Sequence, residues 1–390
     1  MKLSPEIEDS IELRFSALAR QMNERGERII SFGLGEPGFP TPPEIIDAAA
    51  AAMRQGLTRY SSPLGLPDLR EAICAKLKKD NGIDASPSEV MVTPGAKMAL
   101  SLVLGAVLQP GDEVINILPC YPSYLPQIRI AEPDAMIRNV DLRSADFGLD
   151  LERIGECLSP RTKAIILNFP HNPSGRMLSR AELDGLVELL ADHSCWIISD
   201  EIYERLNFSA TPHLSPGAVA ELAARTITIN GFSKAYSMTG WRIGYLLAKG
   251  PIMKTISKLQ QHLNTNVAPF IQRASRVALE METSFLDRYN AQLATNAVLL
   301  GTAVSASPLT LVRPEGGLFA FVDVRAMGLS SDEFCSRLLQ EYAVAATPGV
   351  VFGANWDGFV RMSLAADVDS FAEGVRRLGQ FVGAAGARSA

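Results

Sequence analysis

Residues 164–175 read AIILNFPHNPSG, and the fold turns on how this stretch is read. The apolar run Ala164 to Leu167 gives way at Asn168 to turn-forming residues, among them Pro170, Asn172, Pro173 and Gly175. A short β-rich run bounded by such residues reads as a strand whose carboxyl end opens into a loop. The same pattern recurs downstream: Trp196 to Ser199 leads into Asp200 and Tyr203, and Thr226 to Asn230 leads into Ser233 and Lys234. Val90 to Thr93, Glu113 to Leu118 and Gly244 to Ala248 are further candidate strands, with helical stretches between them. That alternation indicates an α/β fold with a mainly parallel central sheet.

Working outward, an N-terminal helix-like segment precedes a Gly/Pro-rich loop from Gly33 to Pro43, and Glu44 to Gln55 reads as a helix. Helical pattern over Ile252 to Leu300 suggests one long connector, and Leu318 to Val324 and Gly358 to Ser363 look like strands of a smaller α+β domain. The expected division is an N-terminal segment, 1–43, packing with the small domain; a large ligand-binding domain, 44–285; and a small C-terminal α+β domain, 286–390. An Ala/Gly-rich tail after Val382 is expected to fray.

The chain has 390 residues, 47% of them hydrophobic and 21% charged, the balance of a globular protein long enough for two domains. A net charge of -6 argues against nucleic acid or anionic lipid as partner, leaving small molecules or a second copy of the chain. Cys74, Cys120, Cys157, Cys195 and Cys335 are scattered and form no CxxC pair, so neither a disulfide framework nor a zinc site is expected, and a reducing cytoplasm fits best. Acidic residues at Glu6, Glu8, Asp9 and Glu12 do not resemble a signal peptide, and no apolar run is long enough to suggest a membrane span.

Ligands of open parallel sheets sit beyond the carboxyl ends of the strands. The residues there offer an amide, a carboxylate, a phenol, a hydroxyl and an amine to one crevice. Taken singly, Asn and Pro make turns, Asp caps helices and a loop lysine is solvated. In combination they suggest more. Lys234, flanked by Ser233 and followed eight residues later by Arg242, is an amine beside two phosphate ligands, as a phosphorylated aldehyde requires.

The segment Ser233-Lys234-Ala235-Tyr236-Ser237-Met238-Thr239-Gly240-Trp241-Arg242-Ile243-Gly244-Tyr245 resembles the cofactor-lysine motif of class I/II, fold type I aminotransferases dependent on pyridoxal 5′-phosphate (PLP), in particular those that are aspartate aminotransferase-like. Asn172-Pro173-Ser174-Gly175, Asp200-Glu201-Ile202-Tyr203, the run from Tyr60 through Gly65 to Leu69-Arg70, and Val360-Arg361-Met362-Ser363 are similar to its other motifs, in the same order. The resemblance extends from Gly35-Glu36-Pro37 to Arg361. It implies a large PLP-binding domain and a homodimer with shared active sites. Lys234 would carry the cofactor as a Schiff base and, once released, act as the base at the substrate Cα. Asp200 would face the pyridine nitrogen, Asn172 and Tyr203 the phenolic oxygen, and Tyr121 would stack on the ring.

Gly95 and Ala96, at the start of the helical run Met98 to Val107, would hold the phosphate with Ser233, Arg242 and Tyr60 of the partner subunit. Arg361 would bind the substrate carboxylate, with Gly35 leaving room beside it. Lys97 follows Ala96 where some aspartate aminotransferases of this class have Gly-Gly-Lys; its charge at a helix start calls for an anion, either the phosphate or an acidic substrate side chain. His171 is expected only to line the pocket and Cys120 only to pack, and no metal is expected. The implied reaction passes nitrogen between amino and 2-oxo acids, with glutamate and 2-oxoglutarate as the common pair. A carbon-sulfur β-lyase of the same fold and a non-catalytic PLP-fold regulator are the rival readings.

Overall fold

Val- and Ile-rich runs form strands because both of their faces can be buried, and six of the strands so formed run parallel in one sheet. The computed structural model describes residues 18, 21, 22, 24–33 and 35–389, so most of the N-terminal helix-like segment lies outside the described residues. Across the seven-stranded sheet the order is Val90–Thr93, Gly244–Ala248, Thr226–Gly231, Trp196–Asp200, Thr162–Asn168, Glu113–Leu118 and Met136–Asp141. Only Gly244–Ala248 is antiparallel to its neighbours. Alternate residues of a strand enter different cores: Val90 and Val92 pack on one face of the sheet, Met91 on the other. The fold is therefore α/β, with a mostly parallel central sheet.

The edge strand Met136–Asp141 is absent from the sequence reading, because its exposed Met136 and Asn139 and half-buried Arg138 give no apolar run. The expected long connector is also corrected. It is three helices, Ile252–Leu263, Pro269–Glu280 and Ser284–Ser305. Thr265, with φ 64, takes the chain out of the first, and Pro269 occupies the first turn of the second, where a missing N–H costs nothing. The middle helix packs along Pro43–Arg54. The closing helix, Val368–Ser389, continues through the Ala/Gly-rich tail, where alanine's helix propensity outweighs the glycines.

A second, four-stranded antiparallel sheet runs Thr347–Pro348, Phe359–Ser363, Phe319–Asp323 and Thr310–Leu311. Ile30–Ser31 pairs separately with Val344–Ala345. The two sheets meet at the loop after Thr162–Asn168. There Gly175 has φ +74, and a Cβ on it would lie 2.4 Å from the Phe319 carbonyl oxygen, so only glycine lets the loop and the small sheet come this close.

Candidate active site

The carboxyl ends of the central strands open onto a cavity of about 550 Å³. Of the residues singled out from sequence, Ala96, Lys97, Tyr121, Asn172, Asp200, Tyr203, Ser233, Lys234 and Arg242 line it. Gly35 stands at its edge: the Lys234 ammonium donates to the Gly35 carbonyl, and a Cβ on Gly35 would lie 3.0 Å from Phe319 Cζ. Tyr60 is not in the wall of the cavity and is 88% exposed.

Asp200 ends its strand with the carboxylate toward the cavity. Loss of water around it pushes the carboxyl up to about 6, against the opposing effect of a 2.7 Å hydrogen bond donated by the Tyr124 hydroxyl. Tyr124 is itself buried, which with the Asp200 charge raises its pKa well above the usual phenol range and keeps it a donor. One strand over, the Asn168 amide donates to the Asp200 carbonyl at 2.9 Å and its oxygen accepts from the Asn172 N–H at 3.0 Å, so carboxylate and amide are set by one bridge. Lys234 Nζ lies 5.9 Å from the centroid of the Tyr203 ring.

At one end of the cavity the helix Ala96–Val107 begins. Its N-cap, Gly95, has φ 83 and ψ 163, with no side-chain cap for the first N–H groups. A Cβ on Gly95 would come within 2.8 Å of the Arg242 guanidinium, so backbone and arginine close on each other. Arg242 holds φ 55, a strained backbone for a side chain of this size, and is steadied by a 2.9 Å hydrogen bond to the Thr239 carbonyl. Lys97 is exposed, its ammonium 5.5 Å from the Tyr121 ring centroid.

Arg361 arrives from the small sheet. Although 1% exposed, it donates to Asn172 Oδ1 at 3.2 Å, to the Gly33 carbonyl at 2.9 Å and to Thr347 Oγ1 at 3.3 Å. The guanidinium carbon lies 4.1 Å from the Phe319 ring and 4.9 Å from that of Phe352. His171, expected in the pocket wall, is instead sealed behind it, bonded to the Ser174 hydroxyl and the Pro119 carbonyl, and burial lowers its pKa to about 3. Cys120 is buried and its thiol is pushed up to about 12, as befits a packing residue.

Sequence reasoning missed Tyr124 and the bridging role of Asn168. Tyr124 opens the helix Tyr124–Ala131, several residues past the strand end at Leu118, where the strand-end rule that marked Tyr121 no longer reaches. Gln127, Thr239, Ile202, Leu100 and Glu36 also line the cavity without having been singled out. One Gln127 amide nitrogen is buried there without a hydrogen-bond partner among the described residues.

The residues fit the group that the resemblance implies. A glycine-started helix with uncapped N–H groups beside Arg242 and Ser233 suits a phosphate dianion, and a desolvated carboxylate suits a cationic ring nitrogen. The sequence profile described as aminotransferase class I and II matches residues 27–378. The chain is 36% identical to the aspartate aminotransferase of Geobacillus stearothermophilus, covering 96% of each protein. It is 35% identical to an arginine–pyruvate transaminase of Pseudomonas aeruginosa, covering 94% of this chain and 93% of the relative. The solved aspartate aminotransferase of Thermus thermophilus with maleate superimposes with a TM-score of 0.92 at 33% identity, covering 98% of this chain and all of that one. The chain thus belongs to the aminotransferases of class I and II and is an aminotransferase with pyridoxal phosphate as its cofactor.

Proposed function

We propose that the protein moves an amino group between an L-amino acid and a 2-oxo acid by a ping-pong route, with glutamate and 2-oxoglutarate as one pair. It does so in the cytoplasm, in biosynthetic amino acid metabolism, as a homodimer whose subunits share active sites. The observation that carries this reading is that one cavity gathers the Lys234 amine, the Asp200 carboxylate and Asn172, with the Arg361 guanidinium bonded to Asn172.

Bound pyridoxal phosphate supplies the electron sink that weakens the bonds to the substrate Cα. Lys234 would hold the cofactor through Nζ, and the same amine, when free, would take the proton from the substrate Cα. Asp200 keeps a proton on the ring nitrogen, since an adjacent anion favours the cationic form. Asn172 and Tyr203, in the cavity wall, would hold the phenolic oxygen, and Tyr121 would cover the ring. The N–H groups after Gly95, with Ser233 and Arg242, hold the phosphate, joined by Tyr60 of the partner subunit; the 88% exposure of Tyr60 in the single chain supports that part. Arg361 grips the substrate carboxylate, and Gly35 leaves it space.

For the substrate side chain, Lys97 at the cavity mouth favours an acidic donor, whereas Glu36 in the same wall favours a basic one. The names of the two relatives, an aspartate and an arginine transaminase, fit one each. A donor panel of aspartate, arginine, alanine and phenylalanine with 2-oxoglutarate separates them. The reaction itself is tested by adding a single amino acid without acceptor. Amino transfer releases about one equivalent of the matching 2-oxo acid per site and no ammonia. Continuous release of pyruvate with ammonia is the outcome of β-elimination instead.

A further inference from the structure

Directly behind the cavity lies a group of ionisable side chains that the reaction does not use. Glu201, Glu204, His213 and Lys76 are all at most 9% exposed in their side chains. Buried charges are costly unless paired and hydrogen-bonded, and here the pairing is thorough. The Lys76 ammonium donates to Glu204 and, at 2.7 Å, to the Asn81 oxygen. The Asn81 amide donates to Glu201 at 3.0 Å and to Glu204 at 2.6 Å. His213 Nε2 lies 2.9 Å from Glu201 Oε2, and the hydroxyls of Ser199 and Ser215 donate to Glu201 Oε1 at 2.9 and 2.6 Å. Glu201, Glu204 and His213 are near enough to share a cation, but Lys76 and Asn81 already occupy the carboxylates.

The backbone explains why the cluster sits there. After one further backbone bond to the neighbouring strand, from Glu201 N–H to the Ile229 carbonyl at 2.9 Å, the chain turns as far as Leu206, closed by bonds from Glu204 N–H to the Glu201 carbonyl and from Leu206 N–H to the Tyr203 carbonyl. Along this turn the side chains diverge: Asp200 and Tyr203 enter the cavity, while Glu201 and Glu204 enter the cluster. Beyond that backbone bond, side-chain bonds from the end of the helix Pro67–Lys76 and from the loop at His213 hold the turn.

We propose that the Glu201–His213–Glu204–Lys76 cluster is a positioning device that presents Asp200 and Tyr203 to the cofactor as one unit. This rests on the cofactor roles given to those two residues above. Burial alone would favour a neutral His213, but the Glu201 hydrogen bond and the two carboxylates outweigh it, with Lys76 opposing, and its pKa is raised. The imidazole, shifted toward its cationic form, faces Glu201 as the Lys76 ammonium faces Glu204. Without the imidazole, Glu201 keeps its bonds from Asn81, Ser199 and Ser215 but loses the partner at Oε2 that favours its charge, and it is a buried anion adjoining Asp200 in the chain. Drawing on Lys76 or on the cleft of about 210 Å³ that borders His213 and Glu204 relieves that state, and either movement turns the segment.

The test compares the holoenzyme with His213→Gln, with His213→Gln/Glu201→Gln, and with Asp200→Asn. For His213→Gln, kcat falls roughly ten- to hundredfold, as expected for a misplacement of about 1 Å, and PLP dissociates more readily in equilibrium dialysis, while KM stays within about twofold because Arg361 is untouched. Adding Glu201→Gln removes the stranded charge and restores most of kcat and of PLP affinity. A merely structural role lowers the melting temperature without the split between kcat and KM and without rescue, which overturns the proposal. If His213→Gln does not fold, Ser215→Ala carries the test: it removes one bond to Glu201 and no charge, so kcat and PLP affinity fall about fivefold at constant KM, and unchanged values overturn the proposal. Near-normal kcat in Asp200→Asn is a failure of the underlying reading. Lost turnover in Asp200→Asn with His213→Gln unaltered in kcat, KM and PLP affinity is a failure of the positioning device alone.

Discussion

Arg242 lies exposed on a loop with φ 55 beside the uncapped start of a helix, whereas Arg361 is 1% exposed, with two phenylalanine rings against it and hydrogen bonds to Asn172, Gly33 and Thr347. On the proposed reading both meet anions, but anions of different residence. A phosphate that stays can be held largely by backbone N–H groups, which have no rotamers to lose, so the arginine beside it need not be fixed. A carboxylate that enters and leaves at every half-reaction is better met by a guanidinium already oriented, because ordering it anew each time would weaken binding. On that reading the large sheet contributes a site of backbone, and the small sheet a site of one pre-organised side chain.

Arg361→Lys breaks this contrast most severely. An ammonium cannot offer two parallel donors, and it leaves the Gly33 carbonyl and Asn172 without their partner. KM for amino acid and 2-oxo acid should rise together by about a hundredfold, with PLP affinity unchanged in dialysis. Unchanged KM for both would move the carboxylate site elsewhere. Lys97→Met tests which of the two anions the helix-start lysine serves. If it meets an acidic substrate side chain, kcat/KM for aspartate and glutamate falls roughly 10- to 100-fold and neutral donors are spared. If it supports the phosphate, all donors slow alike and PLP is lost more readily; a variant unchanged in every respect returns Lys97 to the solvated surface.

The parallel strands were legible because they are buried on both faces and read as apolar runs, and the residues gathered in the cavity were legible because they stand at the ends of those runs. The edge strand Met136–Asp141 left no such trace, since solvent takes one of its sides. Tyr124 was hidden for another reason: a tyrosine on a helix looks like packing, and only the tertiary approach of that helix to Asp200 makes it a donor. The cluster under Asp200 was invisible in the same way. Lys76, Asn81, Glu201 and His213 are ordinary surface types in sequence, spread over more than a hundred residues, and only burial makes them a unit. The break in the supposed long connector was foreshadowed by Pro269, but the periodic apolar pattern on either side masked it.

The mildest perturbation concerns the backbone half of the contrast. Gly95 combines φ 83 with ψ 163, a region open in practice to glycine alone, and a Cβ there would lie 2.8 Å from the Arg242 guanidinium. Gly95→Ala therefore sets a strained residue against the tip of a side chain. The tip is flexible and exposed, so it can yield, and the cost falls toward the lower part of the range of about 1 to 3 kcal/mol for such backbone positions. PLP affinity should weaken about tenfold in dialysis, while KM, measured with PLP in excess, remains that of the parent because the Arg361 slot is not disturbed. Should KM rise with PLP affinity intact, the helix start would be a substrate site, and the division between a backbone site for the resident anion and a side-chain site for the visiting one would not hold.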